Sequence, residues 1–136
     1  MIKTICGLKG SGKTKRIIMQ ANNDAAVATG NVVFITDTKR YMYDLVRKVR
    51  FVDVKDFGIS SQEGLLSFVK GIVAGNSDTQ YVFIDGAARI TGTEPGAMAD
   101  FYKELEMMRG DFGLNFILTV SLAEEDLPEF IKKHEI

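Results

Sequence analysis

Apolar positions along this chain follow two periods that alternate from one end to the other. Short apolar runs occur at Met1–Cys6, Val32–Thr36, Phe51–Val54, Tyr81–Ile84 and Asn115–Ser121. Runs of this length, bounded by turn residues, predict strands, and the near-continuous ones suit strands buried on both faces of a parallel sheet. Between them the apolar residues recur at helical spacing. Ile17, Ile18, Ala21, Ala25 and Ala28 predict a helix from Lys13 to about Thr29, ended by Gly30, with Asn22-Asn23-Asp24 as its weak point. Asp37 or Thr38 is placed to cap a second helix, roughly Lys39 to Arg47. Ser60 or Ser61 caps a third, with Glu63 in its first turn, a broad apolar face of Leu65, Leu66, Phe68, Val69, Ile72 and Val73, and Gly75-Asn76-Ser77-Asp78 as its close. Ala97 to about Arg109 reads as a fourth helix and Pro128–Lys133 as a short closing one, while Gly86 to Gly96 is expected to be the longest loop.

Strands alternating with helices at these intervals imply a parallel sheet of about five strands with helices on both faces, a three-layer α/β/α architecture. The chain of 136 residues carries no internal repeat, low-complexity stretch or composition shift, so residues 1–136 are expected to form a single domain. Hydrophobic residues at 46% and charged residues at 26% place it among ordinary globular proteins rather than disordered ones. The net charge of −1 supplies no global attraction to nucleic acid or to an anionic membrane. The basic clusters Arg47-Lys48-Val49-Arg50 and Lys132-Lys133 read as solvated faces. A single cysteine, Cys6, excludes an intramolecular disulfide and a cysteine-based zinc site. No apolar stretch has bilayer length and no leader-like segment stands at the start, so a cytoplasmic location is expected.

The candidate chemistry begins immediately after the first strand. Gly7-Leu8-Lys9-Gly10-Ser11-Gly12-Lys13-Thr14 matches the pattern G-x-x-x-x-G-K-[ST] in full, with a strand before it and a helix after it. Glycines let successive N–H groups point inward, and the following helix adds the positive end of its dipole. A polyphosphate fits such a cradle, with Lys13 reaching the outer phosphates and the Thr14 hydroxyl on a magnesium ion. The glycines do not have the G-x-G-x-x-G spacing of a dinucleotide-binding turn. Tyr81-Val82-Phe83-Ile84-Asp85 is an apolar strand ending in aspartate. Ligands of an open parallel sheet lie outside the carboxyl ends of its strands, so Asp85 is expected beside the glycine loop, on the metal side.

On these two segments, GLKGSGKT at 7–14 and YVFID at 81–85, the chain resembles the P-loop NTPase superfamily, and the resemblance covers most of its length. The later strand, Phe116 to Ser121, makes it similar to the RecA-like division, in which a strand inserted between the two motif strands ends in a polar residue that senses the outer phosphate. Thr119 or Ser121 would be that residue here. The resemblance implies ATP and Mg2+ as ligands, with Gly7, Lys9, Gly10, Ser11, Gly12, Lys13 and Thr14 binding the nucleotide and Thr14 and Asp85 the metal.

There are departures from that pattern. Members of the division usually carry a glutamate directly after the aspartate, and this chain has Gly86. Asp37, at the end of the second strand, and Glu94, in the long loop, are the candidate replacements, acting with Lys13. Arg89, Arg109 or an arginine from a partner protein or second copy could stabilise charge on the transferring phosphoryl group. The guanine-reading N/T-K-x-D tetrad is absent, which favours ATP by elimination. The expected function is a slow or partner-stimulated ATPase. The alternatives are a phosphotransferase acting on a nucleoside-like acceptor and a non-hydrolysing nucleotide-dependent switch. Asp56-Phe57-Gly58 and Asp111-Phe112-Gly113 copy a protein-kinase triplet without its companion motifs and are expected to be turns. Tyr41-Met42-Tyr43 could serve as an adenine-stacking or partner surface, but a half-buried helix start is the simpler expectation.

Overall fold

The computed structural model describes residues 1–136. Alternation of apolar runs becomes β1 (Ile2–Gly7), α1 (Lys13–Val27), β2 (Asn31–Thr36), β3 (Val49–Asp53), α2 (Gln62–Gly75), β4 (Thr79–Ile84), α3 (Ala87–Thr91), α4 (Ala99–Phe112), β5 (Asn115–Ser121) and α5 (Glu129–Lys132). The strands form one five-stranded sheet in the order β1-β5-β4-β2-β3, and every pairing is parallel. β5, the last strand in the chain, therefore lies between the strand that leads into the glycine loop and the strand that ends at Asp85. No helix is long and apolar enough to cross a membrane.

Period-two alternation sorts the strand side chains onto the two faces. Val33, Ile35, Val82, Ile84, Phe116, Leu118 and Val120 pack with residues of α2 and α4 in the larger core cluster. Ile5, Val32, Phe34, Phe83 and Ile117 pack with Ile17, Ala21 and Ala25 of α1 in the smaller one. Helices thus cover both faces, an arrangement consistent with three layers. Small residues on α1 let that helix lie close to the sheet, and Phe34 and Phe83 fill the space beneath it with ring centroids 6.3 Å apart.

The same alternation continues into the carboxyl ends of the strands. Thr119, Asp85, Thr36 and Asp53 fall on the α1 face, next to one another in register across β5, β4, β2 and β3. Four buried polar residues end an otherwise apolar face at the edge where the glycine loop emerges.

Two expectations from the sequence are corrected. No helix forms over Lys39 to Arg47; the segment is irregular apart from a single 3-10 turn at Met42–Asp44. The span from Asp37 to Lys48 is at the lower limit for a crossover that includes a helix, and its polar groups are engaged elsewhere. Lys39 is drawn to Asp53 and Asp56, and the Asn22 amide takes the Asp44 carbonyl and the Val46 N–H. The stretch from Gly86 to Gly96 is not a loop throughout, because α3 forms inside it between two left-handed glycines, Gly86 and Gly92. Those glycines read as loop residues, yet they close the two ends of a helical turn whose Ala87 and Ile90 are buried.

Smaller differences concern boundaries. α1 runs unbroken through Asn22-Asn23-Asp24, helped by a Gln20–Asp24 hydrogen bond one turn apart. β3 begins at Val49, and α4 continues to Phe112. The two aspartate-phenylalanine-glycine triplets, expected to be turns, instead end helical segments, each closed by a left-handed glycine, Gly58 and Gly113. The outer edge of β1 is covered by the segment after α5, which exchanges hydrogen bonds with Thr4 through the His134 carbonyl and the Ile136 N–H.

Phe83 is fully buried at the centre of the sheet between Phe34 and Tyr81. Phe83→Ala is expected to lower unfolding free energy by about 3–5 kcal/mol, measured by urea denaturation; a loss below about 1 kcal/mol would show that this face repacks around the void.

Candidate functional site

After Gly7 the backbone leaves the sheet and turns twice in ways that only glycine adopts easily. Gly10 and Gly12 have φ of 85° and 87°, the left-handed region. The Ser11 N–H closes the turn on the Leu8 carbonyl at 3.1 Å, and the Ser11 side chain lies against Gly7, where any Cβ would collide with it. Lys13 folds back over the loop, and its Nζ donates to the Leu8 carbonyl at 2.9 Å. Burial pushes its ammonium below the ordinary lysine value, assisted by the nearby Arg89 charge and opposed by Asp85.

α1 starts at this loop without a side-chain cap and without an acidic residue in its first turn. Instead the turn carries Lys13, Lys15 and Arg16. Cations at a helix N-terminus oppose the macrodipole, so the arrangement is unfavourable by itself and becomes favourable when an anion sits there.

Thr14 joins the loop to the end of β4. Its hydroxyl donates to Asp85 Oδ2 at 3.0 Å, and the Thr119 hydroxyl donates to Asp85 Oδ1 at 2.7 Å. Thr119 also accepts the Gly86 N–H at 2.9 Å, so its proton and a lone pair are both engaged. Asp85 is 4% exposed, and its N–H is held by the Ile35 carbonyl. Both oxygens of a buried carboxylate are thus aimed by neighbouring hydroxyls. Beside it, the Thr36 hydroxyl is buried with no hydrogen-bond partner.

Past Asp85, Gly86 has φ of 86°, and a Cβ there would run into the Arg89 guanidinium, which lies across it. Arg89 forms a two-pronged pair with Asp37, Nε to Oδ2 and a terminal nitrogen to Oδ1, each at 2.8 Å, and reaches the Asp85 carbonyl at 3.3 Å. The hydrogen bonds from Arg89 hold the Asp37 carboxyl below its ordinary range, and Asp37 in turn raises Arg89.

Lys13, Thr14, Asp37, Asp85, Arg89 and Thr119 line one cleft of about 1020 Å³ at the carboxyl edge of the sheet. Its cations are Lys9, Lys13, Lys15, Arg40, Lys55 and Arg89, against carboxylates Asp37, Asp44 and Asp85. In a chain of net charge −1, this excess of positive charge is local.

Of the residues singled out in the sequence, Lys9, Gly10, Gly12, Lys13, Thr14, Asp37 and Asp85 line the cleft, while Gly7 and Ser11 lie against each other and do not. Arg89, Thr119 and Ser121 line it too. Glu94 does not; it is exposed at the start of the 3-10 turn Pro95–Ala97. Arg109 lies in the last turn of α4, near the Met1 amino group and His134, and does not line the cleft. Sequence reasoning missed the wall formed by Thr38, Arg40, Asp44 and Lys55. An available signal was Lys39 facing Asp53 and Asp56 across a short crossover, which favours an ion-paired loop over a helix. No protein-family model matches the chain, and no curated protein matches it in sequence.

The Arg89–Asp37 pair sets a pH dependence. Because the folded carboxyl is depressed, its stabilisation is full above the ordinary aspartate value and is lost as pH falls through the lowered one. Arg89→Ala is expected to return the Asp37 titration upward to ordinary carboxylate values in a carbon-detected NMR titration; an unmoved midpoint would show that the guanidinium is not its cause.

Proposed function

We propose that the chain is a P-loop nucleoside-triphosphatase that binds Mg-ATP in this cleft and hydrolyses its terminal phosphate slowly. The observation that carries the proposal is the hydroxyl bridge from Thr14 to Asp85, which sets a carboxylate beside a glycine cradle at a cation-rich helix start. The inward-turned loop and Lys13 take the phosphates. The strand order, with β5 inserted between β1 and β4, supports the RecA-like variant.

Magnesium fits the oxygen donors on hand. No cluster of three or more His, Cys, Asp or Glu comes together, and magnesium characteristically uses one or two protein oxygens, substrate phosphates and water. Thr14 and Asp85 would hold it, and the orphaned Thr36 hydroxyl beside Asp85 suits a water of its shell. Bound there, the ion neutralises charge on the phosphates.

Thr119, with its hydroxyl engaged twice, positions Asp85, which leaves the exposed Ser121 as the group free to meet a phosphate. Asp37, which lines the cleft, is the carboxylate we assign to orienting water, and Arg89 beside it offers an in-chain source of positive charge. In the structure each of these two holds the other. An entering polyphosphate would compete for the guanidinium and release the carboxylate, a competition that supports a slow turnover in the proposed reaction. The cleft's extension beyond Asp37 keeps phosphotransfer to a small acceptor as a second reading.

Lys13→Ala is expected to weaken Mg-ATP binding by about 10- to 100-fold, the loss of a hydrogen bond to a charged group, with circular dichroism unchanged. Calorimetry showing wild-type affinity would remove the assignment. Asp37→Asn is expected to retain binding and abolish ADP release in a coupled assay; undiminished turnover would transfer the water-orienting role elsewhere.

A further inference from the structure

The irregular segment between β2 and β3 is tied down from several directions. Lys39 Nζ donates to Asp53 Oδ2 at 2.9 Å and to Asp56 Oδ1 at 2.8 Å. On the other side, the Asn22 amide of α1 donates to the Asp44 carbonyl and accepts the Val46 N–H, each at 2.9 Å. The Thr38 hydroxyl accepts the Arg40 N–H, and Leu45 is buried in the α1-side core. A backbone fixed in this way has already lost its conformational freedom, so a ligand that docks on it incurs little ordering cost.

Thr38, Arg40, Tyr41 and Asp44 of this segment line the cleft. The Arg40 Cζ lies 5.3 Å from the centroid of the Tyr41 ring, and the ring packs against the α1-side core. By strand order this wall stands on the far side of Asp85 and Asp37 from the glycine loop. It adds an aromatic ring, a guanidinium, a hydroxyl and a carboxylate to a cleft whose phosphate end is already equipped.

We infer that segment 37–46 is the wall of a nucleoside-binding subsite in the same cleft, where a base stacks on the Arg40–Tyr41 pair. A guanidinium against an aromatic ring is a platform for planar rings and tolerates every base. Thr38 and Asp44 supply acceptors for amino groups of the base or hydroxyls of the sugar. An apolar ligand is disfavoured, because the wall is charged and polar apart from that ring. The subsite rests on the phosphate reading of the glycine loop. Its nucleoside has two sources of identical chemistry: the base of the nucleotide held by that loop, or a separate nucleoside set against the terminal phosphate.

Calorimetry separates these sources with three titrations in magnesium buffer: inorganic tripolyphosphate; ATP; and adenosine, guanosine, cytidine or thymidine added to protein saturated with tripolyphosphate. Tyr41→Leu keeps an apolar side chain against the core but removes the ring, and Tyr41→Phe keeps the ring. Tyr41→Leu is expected to leave tripolyphosphate affinity within about twofold and to weaken the nucleoside-bearing ligand by about tenfold, the loss of one stacking contact, while Tyr41→Phe stays close to wild type. A loss confined to ATP assigns the wall to the nucleotide's own base, and a loss confined to the added nucleoside assigns it to a second ligand. Arg40→Ala, at an exposed position, reports on the same platform if Tyr41→Leu does not fold. Affinities unmoved by either substitution, or lowered equally for tripolyphosphate and ATP, overturn the subsite. Failure of tripolyphosphate to bind the wild-type protein sinks the phosphate reading instead, and titration of the nucleosides alone then decides whether the wall binds them.

Discussion

The Asp85 carboxylate is buried at the end of a central strand, where an ionised group without partners is costly. It is tolerated because two hydroxyls converge on it, Thr14 from the first turn of α1 and Thr119 from β5. Those two bonds do more than satisfy a charge. They tie the helix that follows the glycine loop to two strands distant in sequence, and they fix which way both carboxylate oxygens face. The Gly86 N–H bond to Thr119 extends the link into the turn that carries Arg89. Arg89, and through it Asp37, are therefore linked to the same small polar knot at the edge of an apolar sheet.

Charge around that knot is distributed against the local preferences of the elements bearing it. α1 begins with lysines and an arginine where acidic residues would stabilise it. Lys13 is partly desolvated, and Arg89 and Asp37 spend their charges on each other. Such local conflicts are expected where a protein trades stability for binding. A single class of ligand, a polyanion, would relieve them together by supplying negative charge to the helix start, to Lys13 and to Arg89.

The elements legible in the sequence were those whose local preferences agree with their burial. β5 is a continuous apolar run and occupies Asn115–Ser121 as expected, and α2 starts at the Ser61 cap and ends at Gly75 because its capping and periodicity point the same way. Legibility failed where side chains bond across the chain. Lys39 and Asn22 hold 37–46 open as a wall, using partners in β3, the turn after it and α1. Gly86 was expected to open a long loop and instead starts α3 and admits the Arg89 guanidinium. Among the site residues, the loop and Asp85 were visible because a contiguous pattern specifies them, whereas the choice between Asp37 and Glu94 was not, since it depends on which segment folds over the carboxyl edge.

The sequence alone determined the alternation of strand and helix, the parallel character of the sheet and the glycine-rich turn at residues 7–14 that leads from β1 into α1. Each of these is encoded within a few neighbouring residues, through period, glycine placement and the run of apolar side chains. Only the tertiary structure decided that β5 inserts between β1 and β4, that Thr119 grips Asp85, that Asp37 meets Arg89 and that Glu94 stays outside. Those outcomes depend on strand order and register, which set the distance between residues dozens of positions apart, and no local pattern carries that distance.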